Sequence, residues 1–160
     1  MKNTPKEEDI QLVVFKLNNE EFSFPIHIVR EIIRVPEQLS RMPKTPSFIQ
    51  GLVNLGGSVL PVIDFRERLG LEKGKSHDHQ RIVVLGVRGS QTGFIVDSVT
   101  EVLRLPAQKL EPAPHLSGDL NAFMKQVVNL PEKKRMILLV DADALFAQDE
   151  QEALHNTRHA

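Results

Sequence analysis

The stretch Gly51-Leu-Val-Asn-Leu-Gly-Gly-Ser-Val-Leu-Pro-Val-Ile-Asp-Phe-Arg-Glu-Arg-Leu69 limits the possible folds more than any other part of the chain. Two apolar, strand-length runs meet there at Asn54-Leu55-Gly56-Gly57. Glycine reaches positive φ at little steric cost, so a Gly-Gly pair between such runs predicts a tight turn. Pro61 lies in the second run and cannot donate a ladder hydrogen bond. That predicts an edge strand, or a Pro61 nitrogen facing away from its neighbour. A sheet edge beside a glycine turn is a place where another chain can pack. An ordinary hairpin is the alternative reading. Asp64 and Glu67 have the spacing of a capping box, and Gly70 ends the short helix this predicts.

Other strand-length runs cover 11–17, 21–24, 31–35, 81–87, 92–96, 99–105, 123–128 and 136–140. Asn18-Asn19 supplies turn chemistry between the first two, and Pro25 to Val29 reads as a short helical turn. Pro36 to Pro46 is a loop with three prolines, and the polar segment Glu72 to His79 divides the chain near its midpoint. Asp141 caps a last short helix through Phe146. Many short strands with regular turn signals predict a small all-β fold with short helices, barrel rather than flat sheet. The sequence expectation is a tail over 1–9, one domain over 10–147, and a tail or short helix over 148–160. Val-Ile-Asp64-Phe and Leu-Val-Asp141-Ala form a weak internal echo.

With 160 residues the chain can bury a real core. Its 41% hydrophobic and 26% charged residues are ordinary for a globular protein. A net charge of −1 offers no basic field for nucleic acid or an anionic membrane, which counts against a nucleic-acid-binding barrel. The absence of cysteine removes disulfides, thiolate nucleophiles and cysteine–zinc sites. The polar, acid-containing first residues are unlike a secretory signal, so a cytoplasmic protein is expected.

No catalytic constellation is visible, and neither a cofactor nor a metal is expected. His77 and His79 flank Asp78 in a polar loop without a scaffolded third or fourth ligand. His155 and His159 have one-face helical spacing at a terminus, which allows adventitious metal only. His27 sits among apolar residues as a partly buried or rim histidine. The glycines of 51–57 and 86–89 lack the lysine and strand-to-helix setting of a phosphate loop. Asp97 reads as a turn or cap aspartate binding backbone N–H groups, with a partner contact as the alternative. Glu31 reads as an exposed strand position.

Pro46 to Phe65 resembles the signature of the CheW-like chemotaxis coupling proteins. Phe22 to Ile33, Thr92 to Leu105, Glu111-Pro-Ala-Pro114 and Met136 to Phe146 resemble further family segments in the same order. The resemblance implies two five-stranded, SH3-like barrels with strands crossing between halves. It also implies an adaptor that couples a chemoreceptor's cytoplasmic tip to the regulatory domain of a CheA-type histidine kinase at membrane receptor arrays. A specialised coupling protein of another chemosensory-like pathway, such as surface motility, is the alternative. Val29, Glu31, Gly51, Asn54, Gly56 and Gly57 are the expected kinase or receptor contacts, with Val99 and Val102 lining a second surface. One departure stands out: Gly56 occupies the place where the family carries arginine, so a bidentate donor is missing.

Overall fold

The computed structural model describes residues 9–40, 43–72, 74 and 77–147. Of the expected terminal segments, residues 1–8 and 148–160, with His155 and His159, lie outside these. Strand β1 (Asp9–Leu17) starts one residue inside the expected tail. It is followed by β2 (Glu20–Pro25), β3 (Val29–Arg34), β4 (Ile49–Leu55), β5 (Ser58–Asp64), helix α1 (Phe65–Arg68), β6 (Arg81–Val87), β7 (Ser90–Val96), β8 (Ser98–Pro106), β9 (Leu110–Pro112), α2 (Gly118–Phe123), β10 (Met124–Leu130) and β11 (Arg135–Val140). Residues 142–147 are helical. The sequence reading missed α2 and β9 and took Phe123 into a strand. Both missed elements are too short for a periodicity to show.

The strands form two sheets. One has six strands in the order β8-β1-β2-β11-β10-β9 and the other five in the order β3-β6-β7-β5-β4. They are called here barrel A and barrel B. The fold is the expected pair of small barrels, with the three-residue β9 as a sixth strand in A. The polar loop at 72–79 does not separate them; it joins β5 to β6 inside barrel B. The division is made by exchange. After β2 the chain leaves A, through a 3-10 turn at Ile26–Ile28, and β3 becomes the edge of B. After β7 it leaves B at Asp97, and β8 becomes the edge of A.

The two barrels repeat one another residue by residue. Val29 pairs with Leu85 and Glu31 with Val84, with a bulge at Arg30. Val99 pairs with Phe15 and Glu101 with Val14, with a bulge at Thr100. The β4–β5 hairpin slips register between Ile49 and Gly51, and the β10–β11 hairpin slips between Met124 and Gln126. Asp64 Oδ1 caps α1 through Glu67 N at 3.3 Å, and Asp141 Oδ1 accepts from Ala144 N at 3.2 Å after β11. The echo between the two aspartates is thus the visible part of a full duplication. Its clearest trace in the sequence is Val29-Arg-Glu-Ile-Ile-Arg-Val-Pro36 against Val99-Thr-Glu-Val-Leu-Arg-Leu-Pro106.

Pro61 shows why β5 is not an edge. Strand β5 lies between β4 and β7, and its pairing with β7 begins only at Val62. Pro61 therefore sits beyond that ladder and leaves no broken hydrogen bond within it. The edge is β4, and it is covered: Leu52 N donates to Ser40 O at 2.7 Å, so the segment after β3 folds over it.

Side chains alternate between three cores. Leu12, Val14, Leu105, Val128, Leu130 and Ile137 fill barrel A. Leu60, Val62, Ile82, Val84 and Ile95 fill barrel B. The opposite faces of β1, β6 and β7 send Phe15, Leu17, Val83, Leu85, Phe94 and Val96 into a third layer between the barrels. Strands buried on both faces read as continuous apolar runs, which explains Leu12–Phe15 and Ile82–Leu85. Val62 is completely buried in barrel B. Val62→Asp places an unpaired carboxylate there at a cost of several kcal/mol, comparable with the whole stability of a domain. The variant is expected to lose its cooperative thermal transition in circular dichroism, and a soluble variant melting like the parent refutes this placement.

Candidate functional site

The hairpin β4–β5 ends in a two-residue turn with φ of 57° at Gly56 and 91° at Gly57. Both angles are positive, as a type I′ turn requires. Gly57 N donates to Asn54 Oδ1 at 3.1 Å, so the asparagine closes its own turn. A Cβ at either glycine would meet nothing within 4 Å. Asn54, Gly56 and Gly57 thus form an exposed tip of bare backbone. Opposite Asn54 stands Val59, which is 61% exposed.

Gly51 does not belong to this surface. It is buried, and a Cβ there would lie 2.7 Å from Ser40 O and 2.8 Å from Leu39 Cβ. Its glycine is required by the closure of barrel B, not by a partner. Val29 and Val99, counterparts in the repeat, are partly buried against the central core. Glu31 and Val102 are exposed. The expected residues therefore fall into an exposed tip on barrel B, the edges β3 and β8 on different barrels, and one interior position.

Sequence reasoning missed Ile32, Val59 and Met136. Together with Val102 they are the exposed large hydrophobic residues among those described, at 42, 61, 56 and 55% respectively. They form two repeat pairs: Ile32 with Val102 on the edge strands, and Val59 with Met136 on the hairpins. Alignment of the chain with itself would have found them.

Arg135 was missed as well. Its guanidinium grips Glu21 with two bonds, Nε to Oε2 at 3.0 Å and Nη2 to Oε1 at 2.6 Å, and Nη2 also reaches Glu101 at 2.8 Å. By strand alternation these side chains share the face that lines barrel A, so they close one mouth of it. The hydrogen bond from Arg135 holds the Glu21 carboxyl below the usual carboxylate range, against the opposing effect of burial. The same hydrogen bond pushes the arginine further up.

Asp97 stands where the chain crosses from B to A. Asn18 N donates to its Oδ2 at 2.7 Å, the turn-binding role expected of it. Its Oδ1 lies 3.3 Å from Arg66 Nε, an ionic contact outside hydrogen-bond alignment. His27 is exposed on the crossover turn, the rim position of the two expected for it. It borders a cleft of about 380 Å³ between the barrels, together with Pro25, Ile28, Lys125, Asp141 and Asp143. Val99 and Val102 do not line this cleft. His77 Nδ1 accepts from His79 N at 3.2 Å, which is loop chemistry. Among the described residues no three potential ligands gather to hold a metal.

Two intertwined barrels, an exposed glycine tip and duplicated edge strands can be compared with known proteins. The family model of the CheW-like domain matches residues 11–150. The chain belongs to the CheW-like family. It is 36% identical to the probable chemotaxis protein CheW of Rhizobium etli, over 91% of this chain and 92% of that one. It is 34% identical to chemotaxis protein CheW of Klebsiella aerogenes, over 91% and 87%. Among solved structures, the scaffolding protein TtCheW of Thermoanaerobacter tengcongensis superposes with a TM-score of 0.74 at 32% identity, covering 82% of this chain and 88% of that one.

The depressed Glu21 carboxyl sets a pH dependence. A carboxyl whose folded pKa is lowered stabilises the fold above its unfolded value, and that contribution is lost as pH falls through the folded value. Glu21→Gln is expected to cost about 1 kcal/mol at neutral pH and to flatten the acid limb of stability. Calorimetric melting from neutral pH to about pH 3 checks this. Parallel curves for parent and variant refute it.

Proposed function

We propose that the chain is a non-catalytic adaptor that couples chemoreceptors to a CheA-type histidine kinase. The observation that supports it is the extent of the family match, residues 11–150, which takes in both barrels. Members of the CheW family are scaffolds and not enzymes, so the activity is binding. In this reading the exposed tip of barrel B and the edge β3 meet the kinase regulatory domain, and apolar side chains such as Val59 and Ile32 supply the contact area. The cleft between the barrels receives the receptor's helical tip. No described helix is long and apolar enough to cross a membrane. In this reading the adaptor works in the cytoplasm, held to arrays by its partners, where local concentration replaces very tight pairwise affinity.

Co-elution of the purified chain with the regulatory domain of its own kinase in gel filtration tests the reading, and separate elution at micromolar concentration overturns it. The tip makes a sharper prediction. Gly56→Arg restores the family's side chain at a φ of 57° in open space, a change the fold should survive at about 1 kcal/mol. It should strengthen binding to a regulatory domain from a relative that carries the arginine, and weaken binding to the cognate domain. Equal affinities by calorimetry in all four combinations show that the tip lies outside the interface.

A further inference from the structure

The two crossovers are counterparts in the repeat, and they are closed differently. His27 stands two residues before Val29, as Asp97 stands two before Val99. Asp143 stands two residues after its capping aspartate, as Arg66 does after Asp64. At the second crossover Arg66 Nε lies 3.3 Å from Asp97 Oδ1, and the chain leaving α1 is drawn over the pair. Gly70 turns that chain back with a φ of 73°, and Leu71 packs against the central core. Asn18 Nδ2 then donates to Glu72 O at 3.0 Å, and Arg66 Nη2 to Gly74 O at 3.5 Å. At the first crossover no ion pair joins His27 to Asp143 among the described residues, and both border the cleft of about 380 Å³.

The segment that corresponds to this covering chain begins after the helix at 142–147, which itself supplies Asp143 to the cleft wall. Residues 148–160 follow directly, and thirteen residues span up to roughly 40 Å when extended, ample to cross a cleft of this size. Their chemistry is complementary to it. Asp149, Glu150 and Glu152 offer acids to Lys125 and His27, and Leu154 offers an apolar side chain to the wall of Ile28, Val87 and Leu139. We propose that residues 148–160 cover the cleft at the His27 crossover, as the chain after α1 covers Asp97, and that a partner entering the cleft displaces them. Ala147 stands in the place of Gly70, so the tight return that fixes the other cover is disfavoured here, and this one is removable. The cover stands apart from the adaptor reading; that the displacing partner is the receptor tip rests on it.

The chain has no cysteine, so His27→Cys places a single thiol at the cleft and Val59→Cys a reference thiol on the exposed hairpin. The rate of reaction of each with a soluble maleimide is measured in the full-length chain, with residues 148–160 intact or with Asp149, Glu150, Glu152 and Leu154 all changed to Ser. The serine changes should speed labelling several-fold at position 27 and leave position 59 unchanged. Lys125→Glu, with the segment intact, should also speed labelling at 27 by repelling its acids. Equal rates at position 27 with and without the serine changes, or an equal rise at both positions, overturn the cover and leave the adaptor reading standing. The serine variant should also bind the receptor's cytoplasmic tip more tightly by calorimetry. Faster labelling with unchanged receptor affinity supports the cover and overturns the placing of the receptor in this cleft.

Discussion

All eight phenylalanines of the chain meet in the layer between the barrels. Phe15 and Phe24 stack at 4.4 Å, Phe24 lies 5.8 Å from Phe65, Phe65 is 5.2 Å from Phe94, and Phe94 is 6.2 Å from Phe146. Phe123 and Phe48 extend the layer, with the buried guanidinium of Arg68 at 4.7 Å from both rings. The hydrophobic clusters inside the barrels, by contrast, are aliphatic. A small barrel has room for branched aliphatics, and the wider space between two barrels takes rings. The central layer draws on β1, β2, β6 and β7, so each barrel's inner wall is also the outer layer's floor. Neither barrel has a complete core by itself.

That dependence is reinforced at the crossovers. Asp97 ties the β1–β2 turn to α1 through Asn18 and Arg66 at the point where β7 gives way to β8. Arg66 is almost fully buried, so this contact is little screened by solvent. The exchanged strands β3 and β8 then carry the surface candidates outward: Glu31 and Ile32 on one, Glu101 and Val102 on the other. The repeat thus gives two similar edge strands, one on each barrel.

Much of the fold was legible in the sequence. The glycine turn, the Asp64 and Asp141 caps and most strands follow from local chemistry: positive φ, a carboxylate before a helix, apolar runs of strand length. The family resemblance supplied the two-barrel architecture and the exchange. What escaped was non-local. Gly51 looked like part of the tip because its constraint comes from Leu39 and Ser40, which sequence does not place beside it. Pro61 left two readings open, an edge strand or a nitrogen without a ladder neighbour, because the end of the β7 ladder is invisible in one strand; the second holds. Arg135 drew no attention because both its acids lie on distant strands. The exposed hydrophobic residues stood in apolar runs and gave no sign of facing water until the repeat paired them.

Strand exchange has a mechanical consequence. In a protein of two separate lobes on a linker, the angle between lobes is free to vary and the linker sets the reach. Here two strands pass between the barrels in opposite directions and a shared ring layer fills the seam. Tilting one barrel against the other would tear a strand from a sheet or open an aromatic core. The molecule is therefore a bracket of fixed angle. Whatever is fastened to its two ends is held at a spacing set by the fold itself, and a lattice assembled from many such brackets has its geometry fixed before any partner arrives.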